Sequence, residues 1–436
     1  MLNFPTYILR LWRYLKNSIA LIPGLYVAGF ITFYFFVAYL ESIGLSSWMK
    51  QENAFWLISS EDTARTILGS IIGGLISLTV FSFSMVMVVL SQATSTLSPR
   101  LLPQLIRDRS HQTVLGIYLG VIIFTYLTLI DVDPTETWNI SGFTVFLCVV
   151  MAIVCLAFFV YFIASISQRI QVGRVILRVR SNARLNLKIW KSAPEGWSVT
   201  EQLPSDIGEW PAIKARHSGY IDLPLYDKLT ELSAEYETEI YLPRFRSAYV
   251  LEGTPLIRLS RQLNDKEREE LSGQIHLSPD DITEMWYLPA IRHITEVAVK
   301  AMSPGINDPG TALESIDMIT DILSGMLEIP LHNTYENSET GGRLYFLPLS
   351  FQKVLRMVMQ ELRCYSKSDP IVMQRLALAL FQLRRKARSD KEIYTAIDQE
   401  ISALEEDGHK NLSNSYDRDA FRLLLSRRRS QLERLD

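Results

Sequence analysis

The sequence predicts a membrane α-helical protein of four transmembrane helices with both termini cytoplasmic. To these it adds a cytoplasmic α+β region, a small β-rich domain followed by a helical domain. Three observations predict it. Charges are sparse up to about residue 168 and recur every few residues from Arg169 onward. Four uncharged runs in the first part are long enough to cross a hydrocarbon core of ~30 Å, which takes about 20 helical residues. Beyond residue 195 strand-like patterning gives way to helical spacing. The expected domains are 1–168 (transmembrane), 169–194 (basic linker helix), 195–262 (β-rich) and 263–436 (helical).

The uncharged runs are Asn17 to Leu40, Thr66 to Pro99, Gln112 to Ile130 and Thr137 to Gln168, with spans placed at about 17–40, 66–92, 112–130 and 140–166. Arg10, Arg13 and Lys16 precede the first run as they would a signal peptide. Its apolar core is too long for one and no small-residue cleavage site follows, so it reads as a retained span. The leading "TYILRLWRYLK" suits a short interfacial helix. Thirteen lysines and arginines flank the N-terminus, the second loop and the end of the fourth span, against Lys50 and Arg65 in the first loop and none in "DVDPTET". That imbalance puts both termini in the cytoplasm.

In the second run Ser70, Ser77, Ser84, Ser91 and Ser98 recur every seven residues, and Gly74, Phe81, Val88 and Ser95 fall four residues after successive members. Alternating steps of four and three place all nine on one helical stripe. Most of the opposite side is Ile, Leu, Val and Met, as a lipid-facing side should be. The run is longer than the membrane is thick and ends at Pro99 and Arg100. Two readings of the stripe stand side by side. One is helix packing, because Gly69 with Gly73 forms a GxxxG and Gly116 with Gly120 offers a matching site on the third span. The other is the wall of a pore, with hydroxyls facing water and Phe81 and Val88 as apolar constrictions. No Asp, Glu, Lys, Arg or His lies within any of the four spans, which argues against a proton-coupled carrier or pump.

After the fourth span, residues 168–191 alternate basic and apolar side chains, either as a solvated helix or as one matching an anionic leaflet. "IKARHSGYIDLPL", "TEIYLPRFRSAYVL" and "TPLIRLS" carry strand signals, with helical spacing in "YDKLTELSAEY" between them. Ser278, Pro279 and Asp281 form a capping signal for a helix through about Met302, kinked at Pro289. Further helices are expected at about 309–328, 350–366, 370–389, 391–406 and 417–435. The string "AMSPGINDPGTALESID" reads as a tight turn. Ser303 and Pro304 close one helix, Gly305 takes a positive φ, Asn307 follows, and Asp308 with Pro309 starts the next. A second reading makes its backbone amides an anion site.

"FSFSMVMVVLSQATSTLSPRLL" and "AMSPGINDPGTAL" together resemble the two hallmark segments of an uncharacterised bacterial family of predicted inner-membrane proteins, domain of unknown function 2254. "SGYID" and "GTPL" fit the same family. The resemblance implies a multi-pass protein of the bacterial inner (cytoplasmic) membrane and carries no reaction or catalytic residue. Gly310 departs from the bulky residue expected after "NDP".

The chain carries no Walker A, GxSxG, HExxH or Rossmann glycine signature, and its six histidines are scattered. His276, His293 and His332 with Asp280 or Asp308 form a metal site only if the fold gathers them. No enzyme, cofactor or metal is expected. The net charge of −3 gives no reason to expect nucleic acid as a partner. The expected function is a homo-oligomeric channel or channel-like pathway for ions or small solutes, with the second span lining it and a cytoplasmic vestibule or regulatory domain. The alternative is a membrane-anchored sensor or scaffold whose cytoplasmic domain binds a protein partner.

Overall fold

A computed structural model of the chain describes residues 20–43, 61–96, 109–131, 142–169, 172–191, 197–198, 203–222, 226–279, 287–329, 333–337, 339–347, 349–387 and 389–433. The N-terminal interfacial segment, Ser98, Pro99, Arg100, Asp280, Asp281 and His332 lie outside them. The chain forms two compact units, one carrying residues 1–95 and 101–171, the other 96–100 and 172–436.

In the first unit, four helices are long and apolar enough to cross a membrane. They are α1 (Leu21–Ser42), α2 (Glu61–Thr96), α3 (Arg109–Ile130) and α4 (Gly142–Arg169). Their charges sit at the ends, because an ionised side chain is costly in hydrocarbon. α2 begins five residues earlier than its uncharged run, since Glu61 and Asp62 suit the positive end of a helix dipole. Its 36 residues span about 54 Å, well over the ~30 Å core.

α3 is the central helix. Tyr118, Phe124 and Thr125 are fully buried on it, and Phe124 packs with Tyr34 of α1, Ala64 and Leu68 of α2 and Val145 and Cys148 of α4. Gly116 and Gly120 do not face α2, as the sequence suggested. A Cβ at Gly116 would stand 3.0 Å from the Pro23 Cα, and one at Gly120 would stand 2.2 Å from the Phe30 Cδ2. The two glycines therefore let α1 approach α3 closely, which is the usual source of attraction between helices in lipid. At one end of this bundle the Tyr34 hydroxyl meets the Asp131 carboxylate and the Thr144 hydroxyl meets Glu41 at 3.3 Å. Glu61 and Asp62 lie in the first turn of α2, so the ends of α1 and α3 and the start of α2 are all acidic.

The second unit starts with α5 (Val172–Lys191). β1 (Trp197–Ser198), β2 (Ala212–Lys214), β3 (Gly219–Ile221), α6 (Tyr226–Glu235), β4 (Ile240–Leu242), β5 (Tyr249–Val250), β6 (Pro255–Leu259), α7 (Asp265–Gly273) and β7 (Leu277–Ser278) follow. Then come α8 (Tyr287–Ala301), α9 (Pro309–Met326), β8 (Thr334–Glu336), β9 (Arg343–Phe346), α10 (Phe351–Ser366), α11 (Pro370–Lys386), α12 (Lys391–Asn411) and α13 (Ser415–Glu433). Helix starts follow capping chemistry: Asn264 and Glu267 form a capping box on α7, and Ser350, Asp369 and Asp390 cap α10, α11 and α12.

Two sequence expectations change. The larger sheet runs β1-β8-β9-β4-β6-β2, so its strands are not confined to 195–262 but include two from the region expected to be helical. Its one parallel pair joins β4 to β9, and Leu344 and Phe346 complete the same core as Leu229, Leu232 and Ile257. β9 passes close to α6 only because residue 342 is glycine: a Cβ there would lie 1.8 Å from the Thr230 carbonyl oxygen. Ser278 pairs with Tyr220 in the smaller sheet, Asp281 lies outside the described residues, and the helix that follows is described from Tyr287. Finally, α5 is no free linker, since Ile176, Ala183 and Leu187 are buried against α8 and α9.

Candidate functional site

α2 carries the serine stripe, and its orientation inverts the side-chain logic read from the sequence. The described members Ser70, Gly74, Ser77, Phe81, Ser84, Val88 and Ser91 are all exposed. Ser95 lies in the same helix. The apolar side, expected to meet lipid, is instead the one that packs inside the chain. Ala64, Leu68, Ile72 and Leu75 are buried, and Leu75 packs with Val114, Tyr118 and Cys155. At ~100° per residue the buried side is centred roughly 170° from the serines, almost directly opposite.

Beside the stripe runs a second exposed band of Ile76, Val80, Phe83 and Met87, apolar and suited to acyl chains. The outward surface of α2 is therefore part lipid-like and part hydroxylated. The GxxxG glycines belong to the open surface too, since a Cβ at Gly69, Gly73 or Gly74 would meet nothing within 4 Å. Phe81 leans on Phe159 of α4 with ring centroids 5.7 Å apart, which holds one apolar member of the stripe in place.

Two of the stripe hydroxyls have their donors engaged. Ser70 donates to the Thr66 carbonyl at 2.7 Å and Ser77 to the Gly73 carbonyl at 2.9 Å. Each bond uses the donor and leaves oxygen lone pairs facing outward, so the stripe presents acceptors. The stripe also starts one heptad earlier than the sequence reading placed it. Thr63 is exposed and lies seven residues before Ser70, with Thr66 beside it. Extending the seven-residue repeat backward finds it; Arg65 had ended the uncharged run.

The motif between α8 and α9 is a closed turn. The Ser303 hydroxyl donates to the Lys300 carbonyl, and the amides of Ile306 and Asn307 donate to Ser303. Asp308 donates its amide to Ala301, accepts from the Thr311 amide at 3.1 Å and from the Thr311 hydroxyl at 2.6 Å, and starts α9 with Pro309. These bonds hold the Asp308 carboxyl below its ordinary pKa. The residue with positive φ is Asn307 at 47°, not Gly305. Asparagine tolerates that conformation better than other non-glycine residues. With these amides engaged and an anionic cap at the helix start, the turn offers no cradle for an anion.

Among the described residues no three His, Cys, Asp or Glu side chains gather as metal ligands. A cleft of about 400 Å³ between α12 and α13 is lined by charged groups that include Glu405, Glu406 and Lys410. Its carboxylates are neutralised, Glu406 by Lys410 and Glu405 by Arg429.

A family model described as "Predicted membrane protein (DUF2254)" matches residues 16–382. The uncharacterized proteins Rv1290c of Mycobacterium tuberculosis and Mb1321c of Mycobacterium bovis are each 23% identical over 367 residues, covering 81% of this chain and 70% of theirs. No solved structure matches the chain.

Proposed function

The chain belongs to the DUF2254 family of predicted membrane proteins, and from that premise we propose that it forms a homo-oligomeric channel or channel-like pathway in the bacterial inner membrane. In this reading α2 lines the path, both termini are cytoplasmic, and the soluble unit serves as a vestibule or regulatory domain. The outward serine stripe carries the reading. Four helices that turn their hydroxylated face away from their own core cannot enclose a path alone, but several copies can place that face around an axis. The apolar band beside the stripe then remains for lipid, and Phe81 and Val88 supply constrictions that gate by dewetting. The lack of Asp, Glu, Lys, Arg and His within the spans favours a passive path. The acidic side chains at the start of α2 favour cations over anions.

The test is electrical. In planar bilayers the purified protein conducts, and Ser77→Leu or Ser84→Leu lowers single-channel conductance severalfold while leaving the oligomer intact. Silent membranes from well-folded protein, across voltage, tension and ion type, overturn the reading.

The hydroxyl bonds within α2 favour a second reading. A stripe whose Ser70 and Ser77 donors are satisfied and whose glycines are open also seats against a second copy without water. The protein is then a dimeric membrane-anchored sensor or scaffold, and its soluble unit binds a protein partner. A closed ring of three or more copies with α2 at the axis supports the channel, whereas a dimer with α2 buried at the interface supports the scaffold.

A further inference from the structure

α5 has two faces with different surroundings. Its inner face buries Ile176, Ala183 and Leu187. Arg180 meets Asp321 at 2.6 Å, and Lys191 meets Glu328 at 2.9 Å. Arg184 and Leu187 pass so near Gly325 that a Cβ there would come within 3.1 Å of both side chains. This face is fully used in docking α5 to α8 and α9.

The outer face carries Arg174, Leu177, Arg178, Ser181, Leu185 and Lys188, all exposed and on one stripe by helical spacing. Leu177 is 46% exposed and Leu185 59% exposed. Leucines flanked by arginine and lysine on a helix whose other side is already packed fit a bilayer surface better than open water. The chain brings that surface close. Arg169 ends α4 and Val172 starts α5, and three residue steps of ~3.6 Å can carry the chain no further than about 11 Å from the end of the span.

We propose that the outer face of α5 lies on the headgroup layer of an anionic leaflet, with Leu177 and Leu185 among the upper acyl chains and Arg174, Arg178 and Lys188 against lipid phosphates. The occupant is the anionic phospholipid of the membrane that holds the chain. The inference does not depend on whether α2 lines a path. It gives the soluble unit a lipid-sensing contact, because basic residues beside a span are drawn to anionic lipid and released as that charge is lost.

The test uses the full chain in nanodiscs, with the exposed Cys364 replaced by serine and a bimane fluorophore on Leu185→Cys. Lipids brominated in the upper acyl chain quench the label about twofold in discs containing phosphatidylglycerol, and much less in phosphatidylcholine alone. Arg178→Glu lowers the quenching in the anionic discs without changing the thermal midpoint. A label on Tyr416→Cys, 79% exposed on α13, serves as the water-facing control. Absence of quenching in both lipids overturns the proposal, and so does equal quenching in both, which means apolar insertion without recognition of charge. Efficient disulfide formation between two Leu185→Cys chains also overturns it, because a second copy then covers the face.

Discussion

On α3, Gly116 and Gly120 lie beneath Pro23, Tyr26 and Phe30 of α1, whereas on α2 a Cβ at Gly69, Gly73 or Gly74 would touch nothing. The residues are alike and the spacing is the same, four along a helix. What differs is where the large side chains fall. α1 supplies aromatic rings that need a shallow surface to approach α3, while α2 meets its neighbours through Leu68, Ile72 and Leu75 on the other side. Small residues thus build the fold of one helix and leave the other with a surface that the single chain does not use.

Valine substitution breaks this comparison most directly. Gly120→Val forces α1 away from α3 and costs about 3 kcal/mol, seen as a lower thermal midpoint of the helical signal in detergent. Gly74→Val changes that midpoint by less than about 0.5 kcal/mol equivalent, because its side chain enters open space. Equal destabilisation by the two variants contradicts the orientation of α2. Cysteine accessibility sharpens the same contrast. Ser77→Cys reacts with a charged, water-soluble thiol reagent in the membrane, and Thr125→Cys, fully buried on α3, does not. Protection of both means that another helix or lipid, not water, covers the stripe.

Smaller effects come from charges. Glu61→Gln with Asp62→Asn lowers cation-over-anion preference by about twofold and is weakened at high salt, as screening requires. The weakest test lies on the inner face of α5, where Lys191 and Lys386 converge on Glu328. Hydrogen bonds from both lysines hold the Glu328 carboxyl near a pKa of about 2, below its ordinary 4.5. A lowered pKa stabilises the folded state above the unfolded value, so the contribution is complete above about pH 4.5 and fades as pH falls toward 2. Glu328→Gln therefore costs at most ~1 kcal/mol at neutral pH and nothing near pH 2, because the group is partly in water.

Much of the membrane unit was legible. An uncharged run long enough to span marks a helix because the bilayer excludes charge, and four such runs give four helices with ends shifted by a few residues. Periodicity also gathered the serines onto one face. It gives no information on which face turns inward, because an apolar side packs equally well against lipid or against other helices. The helices from α9 to α13 were legible for a different reason: proline and capping aspartates punctuate them, as at Asp308–Pro309 and Asp369–Pro370. β8 and β9 were missed although "TYENSETGGRLYF" has the alternation and turn residues of a hairpin. Their short length, and the pairing of β9 with β4 far back in the sequence, leave little local signal.

That partnership has a consequence for how the protein is made. β4 leaves the ribosome about 100 residues before β9, so at roughly 5–20 residues per second its edge stays unpaired for about 5–20 s. During that interval the β4 edge is open while α8 and α9 are still being synthesised, and unpaired strand edges invite association with other chains. Slower translation across residues 243–346 lengthens the time for which the β4 edge is open to other chains.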